Sequence, residues 1–94
     1  MAQPDANAAR LRAFVSASLD RASARESASA AAGLRRDAAR VAQQLRALSA
    51  WAAHGQTSVP PAHLEGVSAF HLSDAMEALE AEAWRRDPTT QAPR

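Results

Sequence analysis

Apolar side chains larger than alanine are sparse along this chain, and where they occur they recur at helical spacing. Leu11, Phe14, Val15 and Leu19 fall at i, i+3, i+4 and i+8, one face of a helix. Asp5 sits where an acid favours the positive end of a helix dipole. A second and longer pattern begins at Leu34. Leu34, Ala38, Val41, Leu45, Leu48 and Ala52 alternate at four and three residues, the spacing of a coiled-coil seam. Trp51 borders that seam, and Gly55 beyond His54 fits a helix stop. A third stripe, Leu72, Met76, Leu79 and Ala83, repeats the spacing with Phe70 and Trp84 on its flanks. Ser73 or Asp74 can cap its start, and Asp74 with Glu77 has the spacing of a capping box. Arg85 and Arg86 suit its C-terminal end, and Pro88 prevents continuation.

The connections are less uniform. Asp20 to Gly33 (DRASARESASAAAG) holds nothing apolar larger than alanine, so periodicity leaves helix and linker both open there. One helix running from the first stripe through the second would measure about 75 Å at 1.5 Å per residue. A hairpin alone could not cover such a helix, which would then require a dimer or a partner. Gly55 to Pro61 (GQTSVPP) reads as a loop, and Thr89 to Arg94 as a disordered tail. The pattern therefore predicts an all-α protein. An N-terminal helical arm and Ala/Ser-rich connection occupy residues 1–33, a helical hairpin 34–87, and a tail 88–94, with completion by dimerisation or a partner.

Composition sharpens this expectation. Twenty-six of the 94 residues are alanine, while Leu, Val and Phe together make 14, and Ile, Tyr, Cys and Lys are absent. Alanine is the best intrinsic helix former, so helix is favoured over coil. A chain of this size with few large side chains has little core to bury, which argues against a pocketed enzyme and for help from association. Without cysteine there is no disulfide framework, thiolate metal site or thiol nucleophile. No apolar run approaches the roughly 18–20 residues of a membrane span. Eleven arginines beside no lysine, with abundant alanine, point to a GC-rich bacterial source, and the expected location is cytoplasmic.

Charge divides the chain. Residues 1–54 carry eight arginines against four acids, and residues 55–94 three arginines against six. A basic element packed on an acidic one, within a chain or across a dimer, would produce such a split. The chemistry-bearing residues are few. His71 and Asp74 have metal-ligand spacing, with His54, His63 and Glu65 near in sequence, and Ser73, His71 and Asp74 include the residue types of a hydrolytic triad. Sequence neighbours rarely reach triad geometry, and boundary side chains account for these residues more simply. We expect no catalysis, no metal, no cofactor and no small-molecule substrate.

Nucleic-acid binding is the alternative. Ala62, Gly66, Val67 and Leu72 have helix-turn-helix spacing, and GVSAFHLSDAMEALEAEAW, residues 66–84, resembles the turn and recognition helix of bacterial winged-helix regulators. The resemblance implies that Gly66 permits the turn and Val67 fills the interhelical core. It also implies that Ser68, Ala69, Phe70, His71 and Ser73 face DNA. Against it, Pro60 and Pro61 occupy the supporting helix, Glu65 stands where an apolar residue is usual, and too few residues follow for a wing. Asp74, Glu77, Glu80 and Glu82 would also repel phosphate. A protein-interaction module leaves fewer exceptions. Leu11, Phe14, Val15 and Leu19 would contact a protein partner or second copy, joined by Trp51 and Trp84, or else cap the hairpin's own core. The pattern is similar to that of small helical co-chaperones of bacterial secretion systems. The expected function is an adaptor, assembly factor or chaperone.

Overall fold

The computed structural model describes residues 4–54, Leu64 and 66–87, which form three helices. Helix α1 runs Pro4–Ser23, α2 Ser27–Ala53 and α3 Ala69–Arg86. Proline opens α1 at a position where its missing N–H costs nothing. The helix closes by tightening: the Ala24 and Arg25 amides donate to the Arg21 and Ala22 carbonyls at 3.2 Å. Glu26 then takes an extended conformation (φ −67°, ψ 159°) and caps α2, its carboxylate accepting from the Ser29 amide at 2.9 Å. That bond, together with Ser29's hydroxyl, holds the Glu26 carboxyl below its ordinary value.

The stretch that periodicity left open is therefore two helices and a tight turn. The continuous long helix is excluded, and α2 begins at Ser27 rather than near residue 34. The physical reason lies in its small side chains. Ala22 and Ala30 are buried where α1 folds back on α2, with Gly33 beside them, and small residues let two helices pack closely. Buried Ser18 donates to Asp37 Oδ2 across this approach at 2.6 Å, and Arg21 reaches the same oxygen at 3.2 Å. No buried side-chain polar atom among the described residues lacks a partner.

Helix α2 packs most extensively on α3, and α1 lies against both. The N-terminal halves of α1 and α3 sit together, with Leu11 and Leu72 lining one depression, and Arg86 at the end of α3 reaches the Ala22 carbonyl at the end of α1. The helices thus run up, down and up. The longest helix, α2, spans about 40 Å at 1.5 Å per residue. Among the described residues Leu34, Val41, Leu72 and Leu79 are the largest fully buried side chains, and Ala22, Ala38, Ala75 and Ala83 share their core. Leu64 and Val67 close the end beside the start of α3.

The expected seams form this core with two departures. Leu45, Leu48 and Met76 are only partly buried, and Ala52 is exposed near the end of α2. The cap of α3 also differs from expectation. Ser68, not Ser73 or Asp74, is the N-cap: its hydroxyl accepts from the His71 amide at 3.2 Å while His71 Nδ1 accepts from the Ser68 amide at 3.2 Å. Histidine thus performs the reciprocal task usually given to Glu or Gln. The expected loop at 55–61 and tail at 89–94 lie outside the described residues. No described helix is long and apolar enough to cross a membrane.

Candidate interaction surfaces

The apolar stripe of α1 is wider than the core needs. Leu11, Phe14, Val15 and Leu19 all pack against the central cluster, yet each stays only partly buried. Their outer sides line two depressions. One, of 370 Å³, lies between the parallel helices α1 and α3, with Leu11, Val15 and Leu19 on one wall and Ala75 and Ala78 on the other. Arg12, His71 and Asp74 stand at its polar edges. The groove is open because the apolar wall of α3 is alanine here: large side chains at 75 and 78 would have met Leu11 and Val15 and filled it.

The second depression, of 260 Å³, lies on the opposite flank of α1, between Leu11 and Phe14 and the α2 residues Arg40, Val41 and Gln44. Val67 and Leu72 form its floor, and the Arg40 guanidinium carbon lies 6.0 Å from the centre of the Phe14 ring. Such a cation over an aromatic face is held by the ring quadrupole. It also lays a charged, hydrated group over what would otherwise be open apolar surface.

The other residues singled out from sequence are dispersed. Trp51 is partly buried near the end of α2, whereas Trp84 is 62% exposed near the end of α3. Of the residues expected to face DNA in the alternative, Ser68 and His71 are engaged in the α3 cap, Ala69 and Phe70 are exposed, and Ser73 is partly buried. Phe70 is the most exposed large apolar side chain described, at 75%, with its ring set edge-on to that of His71. Gly66 has φ 80°, a left-handed conformation that glycine alone adopts freely, and Val67 behind it is buried. These are the roles expected of a turn before a recognition helix. The segment that would supply the supporting helix, including Pro60, Pro61 and Ala62, lies outside the described residues, as do His63 and Glu65.

The described histidines do not share a site. His54 ends α2, His71 is committed to a cap, and no group of three metal-ligating side chains occurs among the described residues. Sequence reasoning named the α1 stripe but missed Arg12, Ala75 and Ala78 as groove residues. The spacing of Ala75 and Ala78 gave no signal, because alanine is everywhere in this chain and only the packing of α3 on α1 distinguishes them. No protein-family model, curated protein or solved structure matches the chain.

Proposed function

We propose that this protein is a non-catalytic helical interaction module, an adaptor, assembly factor or chaperone, that seats an amphipathic helix of a protein partner between α1 and α3. The observation that carries this reading is the apolar groove bounded by Leu11, Val15, Leu19, Ala75 and Ala78. A helix laid there would use anchors three and four residues apart, and the charged edges at Arg12 and Asp74 would set its direction. Leu11, Val15 and Leu19 then serve both the core and the partner, through opposite sides of the same side chains.

The test is capture of partners from the host's own lysate with wild-type protein and with Ala78→Glu, with and without nuclease, at low and moderate salt. Ala78 is exposed, so the variant narrows the groove without entering the core. A protein retained through nuclease and salt by wild type, and lost by a still-helical Ala78→Glu, supports the proposal. Equal retention by both variants excludes this groove.

The second reading, a helix-turn-helix that binds DNA, is favoured by the left-handed Gly66, the buried Val67 and the exposed Ala69 and Phe70. It is weakened by the exposed acids Asp74, Glu77 and Glu80 on the helix that would enter the groove. Recovery of DNA that is lost on adding salt would favour it over the adaptor.

A further inference from the structure

The outer faces of α2 and α3 carry opposite charges at matching spacing. On α3, Phe70, Glu77 and Trp84 recur every seven residues, so they share one exposed ridge, with the aromatics about 21 Å apart at 1.5 Å per residue. Glu80 joins that ridge at a three-residue step from Glu77. On α2, Ala32, Arg36, Ala39 and Arg46 form an exposed ridge at steps of four, three and seven, turned away from the core. Alanines make it low, and its two arginines make it basic. Among the described residues Glu77 and Glu80 have no ion-pair partner, and neither do Arg36 and Arg46. Among the described residues the Arg35–Asp87 pair joins the basic N-terminal half to the acidic C-terminal half. Among the described residues the four exposed charges of Glu77, Glu80, Arg36 and Arg46 are thus left uncompensated inside one copy.

We infer that a second copy of this chain compensates them, with α3 of each copy lying antiparallel on α2 of the other. The two ridges interlock in one register. Phe70 then falls opposite Arg46, Glu77 opposite Ala39, Glu80 opposite Arg36 and Trp84 opposite Ala32. Each bulky side chain meets a small one or an arginine stem, and Glu80 meets a cation. A two-fold axis parallel to the helices makes this pairing twice and closes the assembly as a dimer. Exposed aromatics at the two ends of an acidic ridge find apolar cover in the same step. This face lies away from the α1–α3 groove, so the inference stands or falls apart from the proposed partner site.

Sedimentation equilibrium decides it. Wild-type protein at about 100 µM should sediment at twice the 9.9 kDa monomer mass and shift toward monomer in high salt, because charge pairs at the rim are screened. Glu77→Arg/Glu80→Arg and Arg36→Glu/Arg46→Glu should each be monomeric alone and form a dimer when mixed in equal amounts, the basic α3 of one then lying on the acidic α2 of the other. All four positions are solvent-facing, and circular dichroism checks that both variants stay helical. Trp84→Ala, which keeps every charge, should weaken the wild-type dimer about tenfold or more. A monomeric wild type, charge variants that remain dimeric, or no restoration on mixing would each overturn the inference.

Discussion

At single residues the structure sets backbone freedom against packing space: Gly66 needs the freedom for its φ of 80°, whereas Gly33 does not. Gly33 lies inside α2, where glycine costs helix stability because the unfolded chain has more freedom to lose. A methyl group built there meets only the flexible end of Arg25, Nη1, at 3.6 Å, an ordinary contact. Gly33→Ala should therefore stabilise the protein by about 0.5–1 kcal/mol, seen as a higher melting temperature. A lower melting temperature would mean that α1 and α2 approach more closely at this point than their backbones imply. Glu26 gives the pH counterpart. Its carboxyl is held below its ordinary value by the Ser29 amide and hydroxyl, so the folded state favours the charged form. Its contribution is present above the unfolded glutamate value and fades as pH falls through the lower folded value. Exchange of the Ser29 amide should accelerate relative to α3 amides over that acidic window, and Glu26→Gln should remove the pH dependence.

Between elements, the parallel run of α1 and α3 creates an electrostatic problem that the sequence answers at Arg86. Two helix C-termini, each with a partial negative charge, lie side by side. The Arg86 guanidinium donates to the Ala22 carbonyl at 3.2 Å, to Ser23 Oγ at 3.4 Å and to Glu82 Oε1 at 2.8 Å. It therefore ties the end of α1 to the end of α3. Arg86→Ala should destabilise the protein by about 1–2 kcal/mol, a figure held low by the partial exposure of the pair. Faster amide exchange confined to the last turn of α1 would identify the lost tie. Arg86→Lys should recover little, since a single ammonium cannot serve three acceptors placed around a planar fork. The arginine pair at 85–86 was legible as a helix end. Its second duty was not, because nothing local says that another C-terminus lies beside it. The same limit governs the other elements. The seams at Leu34, Val41, Leu72 and Leu79 could be read because large apolar residues stand out from alanine. The turn at 24–26 and the close approach of Ala22 and Ala30 could not, because those residues are equally at home in one unbroken helix. The groove was half legible for the same reason: its leucine wall was visible and its alanine wall was not.

For the molecule as a whole, the consequence of so much alanine is a core with little redundancy. Among the described residues Leu34, Val41, Leu72 and Leu79 are fully buried, and the alanines around them contribute close contact but little area. A domain of this length holds a net stability of roughly 5–14 kcal/mol at ordinary values per residue, and small cores fall toward the lower end. Deleting a buried leucine removes about 2–5 kcal/mol. Leu79→Ala, at the contact of α3 with α2, should therefore lower the melting temperature by more than about 10 °C. A fall of only a few degrees would show that the helices share the load more evenly than their burial indicates. Association enters at the same scale, because a second copy that binds the folded chain stabilises it by mass action. If α3 of one copy lies on α2 of another, the midpoint of Leu79→Ala should climb with protein concentration, and adding Glu77→Arg/Glu80→Arg should flatten that dependence. A midpoint independent of concentration in both would leave the four buried side chains to hold the bundle alone, and would assign the exposed Phe70 and Trp84 to a surface other than the chain's own.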